Sequence, residues 1–299
     1  MAATRDYLGS FRLIKMIRAG GTCQVWEAFD DRSQKRVALK VLQPEVRSDK
    51  HEIGFLRHEH EVGHALSHEH VIEVYDFRIE REQPFLVMEL SRSRNLKLLL
   101  QDHGADGVAV ILKPMLEQAA MGLDYFHQQG WTHCDIKPDN FLANEEGRGV
   151  KLIDFALATR IRSGFGRLLQ GKTKLQGTRS YMAPEQIRRQ KLKATVDVYA
   201  FGCMAYELVS GKVPFTGSTS QELLQKHISS PAPALIAVNN NVTQEFSDMV
   251  LHMLEKKPER RMQSLSDFLA NLQTMRIFKR SPKAPQKNET QSSNESEAG

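Results

Sequence analysis

Three polar side chains of different chemistry fall within six residues of this 299-residue chain. They are Asp135, Lys137 and Asn140, in the stretch Trp131-Thr132-His133-Cys134-Asp135-Ile136-Lys137-Pro138-Asp139-Asn140-Phe141-Leu142. Pro138 bars a regular helix here, because it has no N–H to donate and its ring clashes with the preceding turn. A short rigid loop then presents one carboxylate, one ammonium and one amide to a common point. Phosphoryl transfer uses that set: a carboxylate to accept a hydroxyl proton, a cation for the phosphate, an amide oxygen for Mg²⁺. Fourteen residues beyond Asn140, the strand-like Lys151-Leu152-Ile153 runs into a second acid, Asp154, followed by Phe155 and Ala156.

The first stretch resembles the protein-kinase catalytic loop, HRDxxxxN. A third stretch, Gly177-Thr178-Arg179-Ser180-Tyr181-Met182-Ala183-Pro184-Glu185, resembles the segment that closes kinase activation loops. With three motifs in that order and at those intervals, the chain is similar to the Ser/Thr protein-kinase family, of the bacterial eukaryotic-like type, over roughly residues 7–275. The resemblance implies an α+β bilobal fold, with a small β-rich N-lobe carrying one key helix and a larger, mostly helical C-lobe. The kinase domain is expected over 11–275, its N-lobe about 11–90 and its C-lobe about 91–275, after a lead-in of residues 1–10.

The resemblance also implies a reaction: transfer of the γ-phosphate of ATP to Ser or Thr hydroxyls of protein substrates. Asp135 would orient the hydroxyl and accept its proton, and Lys137 would neutralise charge on the transferring group. Asn140 and Asp154 would hold Mg²⁺, or Mn²⁺ in its place. A lysine two residues after the catalytic Asp marks Ser/Thr rather than Tyr kinases, and Gly177-Thr178 before Tyr181 agrees. Thr178 would help bind substrate near Asp135 and Lys137, and Thr173 is a candidate phosphorylation site. Asp197 would bond the catalytic-loop backbone. Arg261, in Lys257-Pro258-Glu259-Arg260-Arg261-Met262, would hold Glu185.

The elements that must position these groups follow along the chain. Residues 11–41 read as three strands with turns. Between the first two lies Ile17-Arg18-Ala19-Gly20-Gly21-Thr22-Cys23-Gln24-Val25, a glycine turn that lets backbone N–H groups approach a polyphosphate because no Cβ intervenes. Val37-Ala38-Leu39-Lys40 places one ammonium over the phosphates, with Ala38 beside the nucleotide. A helix from about His51 to Leu66 follows. Its Glu59, nineteen residues after Lys40, is the candidate partner of that lysine, with Glu61 the neighbouring one. Strands are expected over Val71–Ile79 and Pro84–Leu90. By resemblance, Met88 is the gatekeeper, the backbone of Glu89, Leu90 and Ser91 bonds adenine, and Leu142 forms the floor beneath it. Helices are expected over Asn95–Gln101 and about Val108–Gln128 from apolar residues at three- and four-residue spacing. Asp197 begins a buried helix, and Thr219-Ser220-Gln221-Glu222 has capping-box spacing.

The activation segment, Asp154 to Glu185, is basic (Arg160, Arg162, Arg167, Lys172, Lys174, Arg179) and carries glycines at 164, 166, 171 and 177, a composition that argues for mobility. From about Arg280 the chain holds no apolar residue larger than Ala, so the 280–299 tail is expected to be disordered.

The chain departs from the family pattern at four places. Arg18 and Cys23 stand where the phosphate turn has its first and third glycines, Cys134 where the catalytic loop usually has arginine, and Ala156 where glycine follows Asp-Phe. A pseudokinase, a nucleotide-binding scaffold without catalysis, is therefore the rival reading, although every residue that meets metal, phosphate or hydroxyl matches. Ala156 should restrict Asp154-Phe155-Ala156 to one conformer. Cys23 and Cys134 are either redox-sensitive thiols or inert small residues. His60-Glu61-Val62-Gly63-His64 matches the zinc-protease HExxH motif, but no suitably placed third ligand is evident.

Bulk properties narrow the classes further. The basic residues behind the +5 net charge are scattered, with no aromatic-basic platform for nucleic acid. The most apolar window, Val196 to Ser210, holds Asp197 and Glu207 and is too short to span a bilayer. No N-terminal apolar run resembles a signal peptide, and three widely spaced cysteines fit a reduced cytoplasm. Nothing in the pattern sets an oligomeric state.

Overall fold

The protein is described by a computed structural model over residues 7–161 and 177–282. The middle of the expected mobile stretch, residues 162–176 with Thr173, Arg162, Arg167, Lys172 and Lys174, lies outside the described residues, as do residues 1–6 and the polar tail beyond 282.

The small lobe is one antiparallel sheet. Its strands are β1 (Tyr7–Leu8), β2 (Phe11–Ala19), β3 (Cys23–Asp30), β4 (Lys35–Leu42), β5 (Val74–Glu80) and β6 (Gln83–Met88), in the order β1-β2-β3-β4-β6-β5. Successive side chains of a strand point to opposite faces, and this alternation divides the work. Val37 and Leu39 join Phe11, Ala28, Phe85 and Val87 in a small core on one face, where Phe11 meets Phe85 edge-on at 5.8 Å. Ala38 and Lys40 turn the other way. The β3–β4 turn is held by the Asp30 carboxylate, which accepts hydrogen bonds from the hydroxyls of Ser10 and Ser33, both at 2.7 Å.

Helix α1 (Lys50–Gly63) packs beside β5 and β6. Asp49 caps its start by accepting from the His51 N–H at 2.7 Å, and Leu56, Glu59 and Val62 form its buried stripe. The helix stops three residues short of the expected Leu66, the chain turning after His64 with the Leu66 N–H donating to Gly63 O at 3.1 Å, and Gly63 lets it approach its neighbours closely. A Cβ there would stand 2.4 Å from Val74 Cγ2 and 3.0 Å from Phe155 Cδ2. The expected strand from Val71 is also shortened. Val71 bridges Leu152 and the Ile72 N–H donates to Leu152 O at 2.9 Å, so these residues join the lobes instead of entering the sheet.

The large lobe opens with β7 (Arg94–Asn95), α2 (Leu96–Ala109) and α3 (Leu112–Gln128). The helical pattern fades after Gln101 because Gly104, at φ 66° and ψ 177°, breaks α2. Short strands β8 (Trp131–Thr132), β9 (Phe141–Ala143), β10 (Lys151–Leu152) and β11 (Thr159–Arg160) then frame the loops of the cleft, pairing as β10-β9-β7 and β11-β8. After α4 (Pro184–Ile187), α5 (Thr195–Ser210) runs through the middle of the lobe, every residue from Thr195 to Val209 buried. A helix apolar on all sides belongs in a core, and this one is the platform beneath the catalytic loop. Four helices complete the lobe: α6 (Ser220–Ser229), α7 (Leu235–Val238), α8 (Gln244–Met253) and α9 (Leu265–Thr274). Thr219 caps α6 through the Glu222 N–H at 3.1 Å, while the Glu222 carboxylate reaches back to Ser218 rather than to Thr219. Among the described residues no helix is long and apolar enough to cross a membrane.

Behind the platform, Arg261 forks onto Glu185, with Nη1 to Oε1 at 2.7 Å and Nη2 to Oε2 at 3.1 Å. Its Nε also donates to Glu255 O at 3.0 Å, and both residues of the pair are 2% exposed. Removing one member of such a pair strands the other charge out of water. Glu185→Ala should therefore cost about 3–5 kcal/mol of stability in a urea titration. A loss no larger than that of an exposed Glu→Ala control would contradict this packing.

Candidate active site

Lys40 is the hub of the cleft between the lobes. Its Nζ lies 2.7 Å from Glu59 Oε2 and 3.1 Å from Asp154 Oδ1, so one ammonium ties β4 to α1 and to the residue after β10 and Ile153. Glu61, the neighbouring candidate, is exposed on the far side of the helix. Burial alone would lower the Lys40 ammonium, but Asp154 and Glu59 together hold it well above the ordinary lysine range. Burial pushes the Glu59 carboxyl up to about 7 against the pull of Lys40. Desolvation would raise Asp154 too, yet Lys40 overrides it and brings that carboxyl down to about 2. Lys40 is thus a fixed cation, and Asp154 a fixed anion at neutral pH.

The catalytic-loop residues converge as their spacing requires. Lys137 Nζ donates to Asp135 Oδ2 at 2.6 Å and to the Thr178 hydroxyl at 2.7 Å, and the Thr178 N–H donates to Asp135 Oδ1 at 2.8 Å. Asn140 donates through Nδ2 to Asp135 O at 2.8 Å. Asn140 Oδ1 and Asp154 Oδ2 receive no hydrogen bond among the described residues, and the Ile153 N–H to Asn140 O bond, 3.0 Å, holds their backbones side by side. An amide oxygen and a carboxylate oxygen left free in one cleft fit a hard divalent cation.

The loop is held from below by Asp197 on α5, which has no exposed surface. Oδ2 accepts from the His133 N–H at 2.6 Å and from His127 Nε2 at 2.8 Å, and Oδ1 accepts from the Cys134 N–H at 2.8 Å. Cys134 sits at φ 68°, a left-handed conformation that costs a residue with a Cβ energy unless its surroundings impose it. The two N–H bonds to Asp197 impose it. The Cys134 thiol is buried, with Sγ 3.4 Å from Thr159 Oγ1, and burial drives its pKa far above the ordinary range. It is neutral, and no cation stands at that position.

The roof of the cleft is the β2–β3 turn. Gly20 N–H donates to Cys23 O at 2.8 Å, and residues 18–22 are exposed. Ile17 is exposed as well, while Cys23, Gln24 and Val25 turn partly inward. Burial raises the Cys23 thiol above its usual value. At the hinge, Met88 pairs with Ala38, and the Glu89 N–H donates to Glu73 O at 2.9 Å. Lys151 Nζ fixes the Glu89 carboxylate at 2.8 Å. Glu89 O and the Ser91 N–H, which lie on the same side of an extended chain, make no hydrogen bond among the described residues, which leaves an acceptor and a donor for a planar ring edge. Ser91 and the half-buried Leu142 follow on the large-lobe side, Leu142 paired with Asn95.

One expectation needs correction. The basic activation segment was expected to be mobile from Asp154 onward, but its first part is ordered. Thr159 and Arg160 pair with Thr132 and Trp131, the Arg160 guanidinium lies 4.1 Å over the Trp131 ring, and His58 Nε2 is 2.8 Å from Ala158 O. A cation over an indole and a strand ladder outweigh the composition. The HExxH residues of α1 stack on each other, His60 and His64 rings 5.1 Å apart, and His64 Nδ1 meets Val74 O at 3.3 Å. No third His, Cys, Asp or Glu among the described residues completes a metal-holding group with them.

The structure adds groups that spacing did not single out. Glu207 on α5 is buried and takes both the Lys97 ammonium and the Tyr181 hydroxyl, linking α2 to the Thr178–Tyr181 segment. Asp139, between Lys137 and Asn140, pairs with Arg18 across the cleft, and its place in the loop was the signal available. Thr173 lies outside the described residues.

Comparison with known families matches residues 11–271 to the protein kinase domain. Serine/threonine-protein kinase PknA of Mycobacterium tuberculosis is 33% identical over 283 residues, 93% of this chain and 64% of that protein. PknA of Corynebacterium glutamicum is 32% identical over 278 residues, 91% of this chain and 57% of that protein. A probable serine/threonine-protein kinase, pknA2, of Bifidobacterium longum is 31% identical over 256 residues, 85% of this chain and 33% of that protein. The chain thus spans less than two thirds of the length of these curated relatives.

Proposed function

The chain belongs to the protein kinase domain family, and from that premise we propose that it phosphorylates Ser and Thr hydroxyls of protein substrates at the expense of ATP. The observation that carries the reading is Lys40, held by Glu59 and Asp154 at once. A kinase needs the lysine–glutamate pair formed and the second Asp placed to hold Mg²⁺, and here Lys40 joins Glu59 to Asp154. We take residues 11–275 as one kinase domain whose lobes meet near residue 90.

When bound, ATP with Mg²⁺, or Mn²⁺ in its place, supplies the phosphoryl group and neutralises charge on it. The chain's own groups do the rest. Lys40 and the exposed turn of the roof, within Ile17 to Val25, bind phosphate oxygens. Asp154 and Asn140 hold the metal through the oxygens they leave free. Ala38, Met88, Leu142 and the backbone from Glu89 to Ser91 enclose the adenine. Asp135 accepts a hydrogen bond from the incoming hydroxyl and then takes its proton, while Lys137, beside it, stabilises charge developing on the acceptor side. Thr178 holds Asp135 and Lys137 at their spacing and marks where a peptide hydroxyl lies. Asp197, Glu185 and Arg261 are structural.

Activity rather than a scaffold role is supported by what the four departures leave alone. None removes a carboxylate, ammonium or amide from the set at Lys40, Asp135, Lys137, Asn140 and Asp154. The free thiols at Cys23, Cys134 and Cys203 support a reducing compartment such as the cytoplasm.

Two outcomes test the assignment. Asp135→Asn should lower phosphate transfer by about 10²–10⁴-fold with nucleotide affinity nearly intact, because the carboxylate meets the acceptor. Asp154→Asn should instead weaken Mg²⁺-dependent nucleotide binding. Wild-type turnover in Asp135→Asn would overturn the reading.

The second outcome concerns control. An arginine before the catalytic Asp can anchor a phosphorylated activation loop, and the neutral, buried Cys134 cannot. Phosphatase-treated protein and Thr173→Ala should keep most of the wild-type peptide-phosphorylating rate. A large loss in Thr173→Ala that Thr173→Glu restores would show that another cation does the anchoring.

A further inference from the structure

Arg18 stands where the family pattern has the first glycine of the roof, and its guanidinium crosses the cleft. Nη2 lies 3.6 Å from Oδ1 of Asp139 in the single turn Pro138–Asn140, directly before Asn140. The roof is fixed at its other end as well. The Gln43 N–H donates to Thr22 O at 2.8 Å, and the Gln43 side-chain amide donates to Gly20 O. The turn is therefore tied to the end of β4 on one side and to the catalytic loop on the other. A register shift in β2 falls between Met16 and Arg18, at the start of the turn.

The Arg18 and Asp139 side chains are 50% and 30% exposed, so water screens the pair and its strength is modest. Modest strength suits a contact that must open at every turnover. A glycine at position 18 would leave the roof untethered there, and no other group of the roof forms an ion pair with the catalytic loop among the described residues.

We propose that Arg18 is a positioning residue: with Asp139 it straps the roof to the floor and slows the escape of nucleoside di- and triphosphates from the cleft. The proposal rests on the kinase reading of the site. Arg18 acts through Asp139 rather than on the reacting atoms, and Asp139 carries a charge that the reaction itself does not use.

The test is stopped-flow dissociation of a fluorescent ADP from the full chain, for the wild type, Arg18→Gln, Asp139→Asn, the double variant and Arg18→Lys. Each neutral single variant should release ADP about two- to fivefold faster, the range that a screened ion pair supports. The double variant should be no faster than either single, and Arg18→Lys should stay near the wild type. Raising the ionic strength should speed release from the wild type and leave Arg18→Gln unchanged. Unchanged release in Arg18→Gln, or effects of the two singles that add in the double variant, would overturn the strap and leave the kinase reading standing. A wild type that binds no nucleotide would overturn both.

Discussion

A buried ammonium with two carboxylates is the constraint on which the cleft depends. Lys40 cannot sit unpaired at its depth without a large desolvation cost, so the fold must bring Glu59 and Asp154 to it. Such a cluster is a weak source of stability, because desolvation consumes most of the attraction. What it supplies is geometry. Glu59 fixes the rotation of α1, and Asp154 fixes the backbone beyond β10 at φ 68°, a conformation a residue with a Cβ adopts only under constraint.

The residue after Asp154 carries that constraint into the core. Phe155 is fully buried, stacks on Phe126 of α3 at 5.4 Å, and meets His133 edge-on at 6.1 Å. The absence of a side chain at Gly63 lets α1 close against it. His133 in turn bonds Ile153 O at 3.1 Å through Nε2 and hands its own N–H to Asp197. One continuous set of contacts therefore runs from the small lobe through Phe155 to α5. The ion cluster and the catalytic loop are two ends of the same packing.

Much of this was legible as residue type and spacing. The Asp135–Asn140 interval and Asp154 after an apolar run were legible from chemistry and spacing, and Lys40 from the resemblance of Val37-Ala38-Leu39-Lys40 to the kinase strand motif. The Glu59 partner followed from its place nineteen residues after Lys40 on an expected helix. The limits of the elements were less legible, since they depend on partners distant in sequence. α1 can approach Val74 and Phe155 only because position 63 is glycine, and Val71 and Ile72 leave the sheet because Leu152 claims them. The ordering of Arg160 depends on Trp131, twenty-nine residues away, and the Arg18–Asp139 pair joins residues that no local pattern relates. The departures from the family pattern were visible from the start, but whether they harm the site depends on depth and neighbours. Cys134 fills a buried slot over Thr159, and Arg18 finds a counter-charge.

The central claim is that Glu59 serves the reaction by holding Lys40, and a double-mutant cycle on transfer of labelled phosphate from ATP to a generic Ser/Thr protein substrate tests it most directly. Lys40→Met and Glu59→Gln should each reduce the rate strongly, and the variant carrying both should be no slower than Lys40→Met alone, because the carboxylate acts only through the ammonium. Losses that add in the double variant, or a Glu59→Gln variant as fast as the wild type, would contradict the account.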